Sequence, residues 1–104
     1  MLYMLKIVVR LPDDWSPEKL AETNKNETAR SMQMVREGKL KRIFRIAGRR
    51  ANFSIWDCAS PEELHATLTA MPLHPYMDIE VTPLIKHTTT QAWEKENGDM
   101  PHFQ

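Results

Sequence analysis

The chain has 104 residues, and its 14 Lys and Arg balance 14 Asp and Glu. That length fits one small domain, and a formal charge of zero argues against a protein that coats nucleic acid, which would be strongly basic. Hydrophobic content of 41% and charged content of 27% describe a globular domain and not a disordered chain.

Residues 2–11, LYMLKIVVRL, are β-prone and stop at Pro12, so they are expected to form a strand followed by a turn. Ser16-Pro17-Glu18 is a helix start: serine caps, proline suits the first helical position, and glutamate suits the positive end. That helix is expected to run to Gly38. Residues 39–48 and 50–58 read as a hairpin around Gly48. Ser60-Pro61-Glu62-Glu63 is a capping box opening a second helix through about Met71. Pro72 to Pro75 form a turn. Residues 76–85 alternate, with Met77, Ile79 and Val81 on one face and Asp78, Glu80 and Thr82 on the other.

The order is β-α-β-β-α-β, the split βαβ arrangement of ferredoxin-like α+β folds. It predicts a four-stranded antiparallel sheet with two helices on one face. The bare face needs cover, and dimerisation through the sheet is the simplest cover. From His87 onward the chain is polar without periodicity, apart from Trp93 and Phe103, so residues 1–87 are expected to be the folded domain and 88–104 a tail. The early apolar run is too short and too charged for a membrane span, and it lacks a cleavage site for a signal peptide. A lone cysteine, Cys58, excludes an intrachain disulfide. A cytoplasmic protein without membrane attachment is expected.

Stepping 100° per residue around the first helix puts Leu20, Ala21, Thr28, Ser31, Met32, Met34 and Val35 in one arc. Glu27 is the only charged residue in that arc, with Asn24 and Ser31 beside it. An ionised carboxylate does not sit in an apolar layer uncompensated. Burial would raise its pKa and make it a usable acid or base near neutrality. Alternatively, Glu27 lies at the edge of the arc and pairs with Arg30 or a strand arginine. The methionines of this helix read as core filler.

In the third strand, Arg50, Asn52, Ser54 and Trp56 share one face. They line a polar pocket, or else a solvated face or a subunit contact. The histidines His65, His74, His87 and His102 have no spacing typical of a zinc site, so no metal is expected. Three glycines provide no phosphate-cradling loop. An RNA-recognition reading of the same topology fails because Arg50 and Ala51 stand where a glycine and a stacking aromatic are needed.

Three stretches, MLYMLKIVVRLP, RIAGRRANFSIWD and PLHPYMDIEV, resemble the muconolactone isomerase family, without gaps from Met1 to about His87. The resemblance implies a ferredoxin-like fold, tight dimers within larger rings (commonly decamers), and no cofactor. It implies conversion of muconolactone, a small anionic lactone, to the 3-oxoadipate enol-lactone in aromatic catabolism. It also implies Glu27 as the proton shuttle and Asn52 as a donor to the lactone carbonyl oxygen, both catalytic. Arg45, Arg50, Ser54 and Asn24 are then the candidates for substrate binding. The chain departs from the family at Arg50, where members carry tyrosine. That leaves substituted muconolactones open as substrates, with dehalogenation of them as a related activity, and it motivates an alternative: a non-catalytic module that binds small anions.

Charge is segregated along the chain. Residues 36–50 hold seven Lys and Arg and one acid, whereas residues 57–80 hold five acids and no Lys or Arg. A basic hairpin either faces an anionic ligand or pairs with acidic elements across the fold.

Overall fold

In a computed structural model, which describes residues 1–101, the chain runs β1 (Leu2–Val9), α1 (Pro17–Arg36), β2 (Leu40–Arg45), β3 (Ala51–Asp57), α2 (Pro61–Thr69), a 3-10 turn (His74–Tyr76), β4 (Met77–Leu84) and α3 (Thr88–Asn97). His102 and Phe103 lie outside the described residues. The strands form one antiparallel sheet in the order β2-β3-β1-β4, which is the expected ferredoxin-like topology.

Local chemistry sets the element ends. The Ser16 hydroxyl accepts the Lys19 N–H at 3.1 Å, with Pro17 in the first turn. At the other end of α1, Gly38 N–H bonds the Val35 carbonyl and Lys39 N–H bonds the Met34 carbonyl, both at 3.0 Å. This paired closure requires a left-handed residue between the two donors, and Gly38 supplies it at φ +77°. Ser60 caps α2 by accepting the Glu63 N–H at 3.1 Å. The Glu63 carboxylate reaches back to the N–H of Ala59, one residue earlier than a standard capping box would place it.

Register decides which side chains meet the helices. Tyr3 and Leu5 of β1 stand opposite Trp56 and Ser54 of β3, and all four are buried. Met34 of α1 and Leu64, Leu68 and Met71 from α2 and the turn after it complete that core. Both helices therefore cover one face. On the other face Phe44 and Phe53 stand opposite each other across β2 and β3, 64% and 41% exposed.

Two expectations need correction. The segment read as an aperiodic tail carries α3. Its only apolar residues are Ala92 and Trp93, so it has no stripe for a periodicity argument to detect. It is set locally instead, by the His87 ring nitrogen accepting the Thr89 N–H at 3.0 Å and a Lys86–Glu94 ion pair at 2.7 Å. The methionines of α1 are not all core filler either: Met34 is buried, but Met32 is 53% exposed.

Gly38→Ala is expected to lower unfolding stability by about 1 kcal/mol, measured by urea denaturation. A Cβ there would meet only the tip of Lys41, 3.8 Å away, so the backbone conformation and not crowding sets the effect.

Candidate active site

Met34 and the turn at Gly38 fasten the C-terminal end of α1 to the core, while the rest of the helix stands off the sheet. A cavity of about 650 Å³ lies in the gap. Much of its wall is apolar: Ile7 and Val9 from β1, Met32 and Val35 from α1, and Trp56, Leu73 and Met77 from the elements opposite. Met32 and Val35 fall in the apolar arc of α1 but are about half exposed, at 53% and 54%, because they face this space and not packed core.

Five of the six candidate residues line the cavity: Asn24 and Glu27 from α1, Arg45 from β2, Arg50 just before β3, and Asn52 from β3. The sheet register explains the last three. Arg45 stands opposite Asn52, and Asn52 stands opposite Ile7, so two polar side chains from β2 and β3 meet an apolar one from β1 on the face the helices cover. The polar face of β3 is thus a pocket wall and not a solvated surface. Ser54 does not line the cavity. It is 1% exposed and accepts the Trp56 indole N–H at 2.8 Å, so it fixes the orientation of a wall residue.

Glu27 is the centre of the arrangement. Its Oε1 accepts the backbone N–H of Leu73 at 2.9 Å, while its Oε2 is buried with no hydrogen-bond partner. Among the described residues no lysine or arginine pairs with it; Arg30 turns to Gln33 instead, at 3.2 Å. Burial pushes the Glu27 carboxyl above the usual glutamate range, and the single Leu73 hydrogen bond offsets only part of that shift. The pairing alternative is therefore not what the structure shows.

The side chains around Glu27 are polar and incompletely satisfied. Asn52 Oδ1 is buried without a hydrogen-bond partner. The Arg50 guanidinium donates to Asn24 Oδ1 at 2.6 Å. The basic hairpin divides its charges: Lys39 pairs with Glu37 at 3.5 Å and Glu63 at 3.8 Å, while Arg45 and Arg50 line the cavity. Cys58 lies in the core, and burial raises its thiol pKa, which does not favour a nucleophile. The Leu73 N–H was missed in the sequence because it lies 46 residues from Glu27 and carries no side-chain signal.

Chemically, this is a carboxyl group that holds its proton more tightly than an exposed glutamate, beside an asparagine amide and two cations. A raised folded-state pKa means that the protonated Glu27 is stabilising. That contribution is fully present below the ordinary carboxylate range and is lost as pH rises through the raised value. Glu27→Gln is accordingly expected to gain thermal stability relative to the parent by a few degrees at neutral pH, and the gain should shrink as pH falls. Parallel melting curves across pH check this.

Comparison with known proteins gives the family and the fold. The family model for muconolactone delta-isomerase matches residues 1–90. Muconolactone Delta-isomerase of Cupriavidus pinatubonensis is 41% identical over 90 residues, covering 86% of this chain and 98% of that protein. The Rhodococcus opacus protein of the same name is 43% identical over 86 residues, covering 83% and 92%. A crystal structure of muconolactone isomerase superposes with a TM-score of 0.80 at 43% identity, covering 86% of this chain and 93% of that one. A 5-chloro-2-hydroxyhydroquinone dehydrochlorinase from Burkholderia phenoliruptrix shares the fold at 16% identity, with a TM-score of 0.56 and coverage of 86% and 98%. The chain belongs to the muconolactone delta-isomerase family.

Proposed function

We propose that this protein is an isomerase of aromatic catabolism that moves the ring double bond of a small carboxylated lactone, converting muconolactone to the 3-oxoadipate enol-lactone. One observation carries the reading: a carboxyl group with one oxygen tied to a backbone N–H and the other unpartnered, in an apolar-walled cavity that also holds two guanidinium groups.

The chemistry asks little more. Glu27, ionised, takes the proton from the ring carbon beside the ring oxygen. The electron pair of that C–H bond moves through the double bond onto the lactone carbonyl oxygen, giving a dienolate. The Asn52 amide donates a hydrogen bond to this oxygen, and Arg45 holds the substrate carboxylate with its planar fork. Glu27 then returns the proton to the carbon beside the carbonyl, on the same face of the ring. A pKa raised toward neutrality suits a group that must act as base and then as acid.

The same reading makes the protein cytoplasmic and homo-oligomeric, with copies joined through the outer face of the sheet into a dimer at least and a decamer in the full assembly. The exposed Phe44–Phe53 pair on that face supports this. No helix among the described residues is long and apolar enough to cross a membrane.

Purified protein is expected to convert muconolactone, followed by ultraviolet absorbance. Glu27→Gln should lose about 10²- to 10⁴-fold in kcat while remaining folded, and full activity in that variant would remove the mechanism. For the parent, kcat/KM should rise with pH through an acid limb above the ordinary glutamate range, since the ionised carboxylate is the active base. Light scattering should find a multimer that Phe44→Glu shifts to smaller species; a monomeric parent would rule out the oligomer.

A further inference from the structure

The cavity holds one more cation than a monocarboxylated lactone needs for binding. Among the described residues the charged side chains lining it are Glu27, Arg45 and Arg50. Neither guanidinium meets a carboxylate of the described chain.

The two arginines are held differently. Arg50 is braced: its guanidinium donates to Asn24 Oδ1 at 2.6 Å, and its carbonyl accepts the Val9 N–H at 3.0 Å. Asn24 lies three residues before Glu27, so the two are neighbours on one face of α1. The brace therefore comes from the helix that carries the base. Arg50 also precedes Asn52 by two residues, which puts both on one side of the strand. Arg45 makes no side-chain hydrogen bond within the described residues and is free to close on an incoming anion.

Charge accounting through the reaction gives the second cation a purpose. Before proton transfer, the two guanidinium groups face the ionised Glu27 and the substrate carboxylate. After transfer, Glu27 is neutral and the substrate carries two negative charges, its carboxylate and the dienolate oxygen. The site is balanced at both stages, but the charge has moved from Glu27 to the lactone carbonyl oxygen. A cation aimed at the carbonyl oxygen acts on a charge that exists only once the reaction is under way, and such a contact lowers the barrier without tightening ground-state binding. It must be positioned in advance, as Arg50 is.

We propose that Arg50, braced by Asn24, stabilises the oxyanion that proton removal creates on the lactone carbonyl oxygen, while Arg45 binds the carboxylate the substrate brings. This rests on the isomerase reading, and it makes Arg50 a catalytic residue that works with Asn52.

Two stable lactones separate the roles by calorimetric titration. A carboxymethyl-substituted tetronic acid is ionised at both its ring enol and its carboxylate at neutral pH, so it mimics the dienolate. The saturated carboxymethyl butyrolactone carries the carboxylate alone. The parent protein should bind the tetronate at least about tenfold more tightly than the saturated lactone. Arg50→Gln should lose about tenfold or more for the tetronate, with the saturated lactone within about twofold of the parent. Arg50→Lys should recover part of that loss, and Arg45→Gln should weaken both ligands. In turnover, Arg50→Gln should lower kcat with KM near the parent value, whereas Arg45→Gln should raise KM. Equal weakening of both ligands by Arg50→Gln, no effect on either, or a parent with no preference for the tetronate would overturn the assignment. If the parent failed to isomerise muconolactone, the isomerase reading would fall, while the titrations would still decide whether Arg50 recognises a ring oxyanion.

Discussion

A carboxyl group placed against an apolar wall has three ways to be tolerated: pair with a cation, collect several hydrogen bonds, or keep its proton. Glu27 has no cation partner among the described residues and one hydrogen bond, from the Leu73 backbone. With neither of the first two met in full, burial moves its pKa upward. Much of the architecture serves this placement. The helix is pinned at one end by Met34 and the Gly38 turn, it stands off the sheet elsewhere, and the turn after α2 delivers the Leu73 N–H to one carboxyl oxygen while the other stays unpaired.

The standoff has a structural counterpart in the composition of α1. A helix meant to lie flat on a sheet carries a continuous apolar stripe. Here the stripe is interrupted by Asn24, Glu27, Thr28 and Ser31, all of which line the cavity. Packing is given up in the middle of the helix and regained at its end. Functional sites commonly trade stability for an arrangement of this kind, and the predicted stability gain on neutralising Glu27 has the same origin.

Much of the fold was legible in the sequence because its signals are local. Ser16 and Ser60 cap where expected, Gly38 ends α1, and alternation in β3 and β4 sorts the two faces of the sheet. The position of Glu27 was legible too, since helical geometry alone puts it among Leu20, Thr28 and Met34. What lay hidden depends on contacts between distant segments or on space left empty. The Leu73 N–H has no side-chain signature. Met32 and Val35 look like core residues until the gap beneath them is seen. Ser54 shares a strand face with Asn52 but ends beneath Trp56, because two residues along a strand can move a side chain from the rim of a cavity to its foundation. The segregated charge serves both ends: Lys39 answers the acidic α2 through Glu63, while Arg45 and Arg50 line the cavity.

The central claim is that burial holds the Glu27 carboxyl above the usual glutamate range so that it can carry a proton in both directions. The most direct measurement is a pH titration of the Glu27 side-chain carbonyl carbon by NMR in carbon-13-labelled protein, with the resonance assigned by its loss in Glu27→Gln. The expected midpoint lies clearly above those of the exposed glutamates in the same spectrum. A midpoint within or below their range would contradict it.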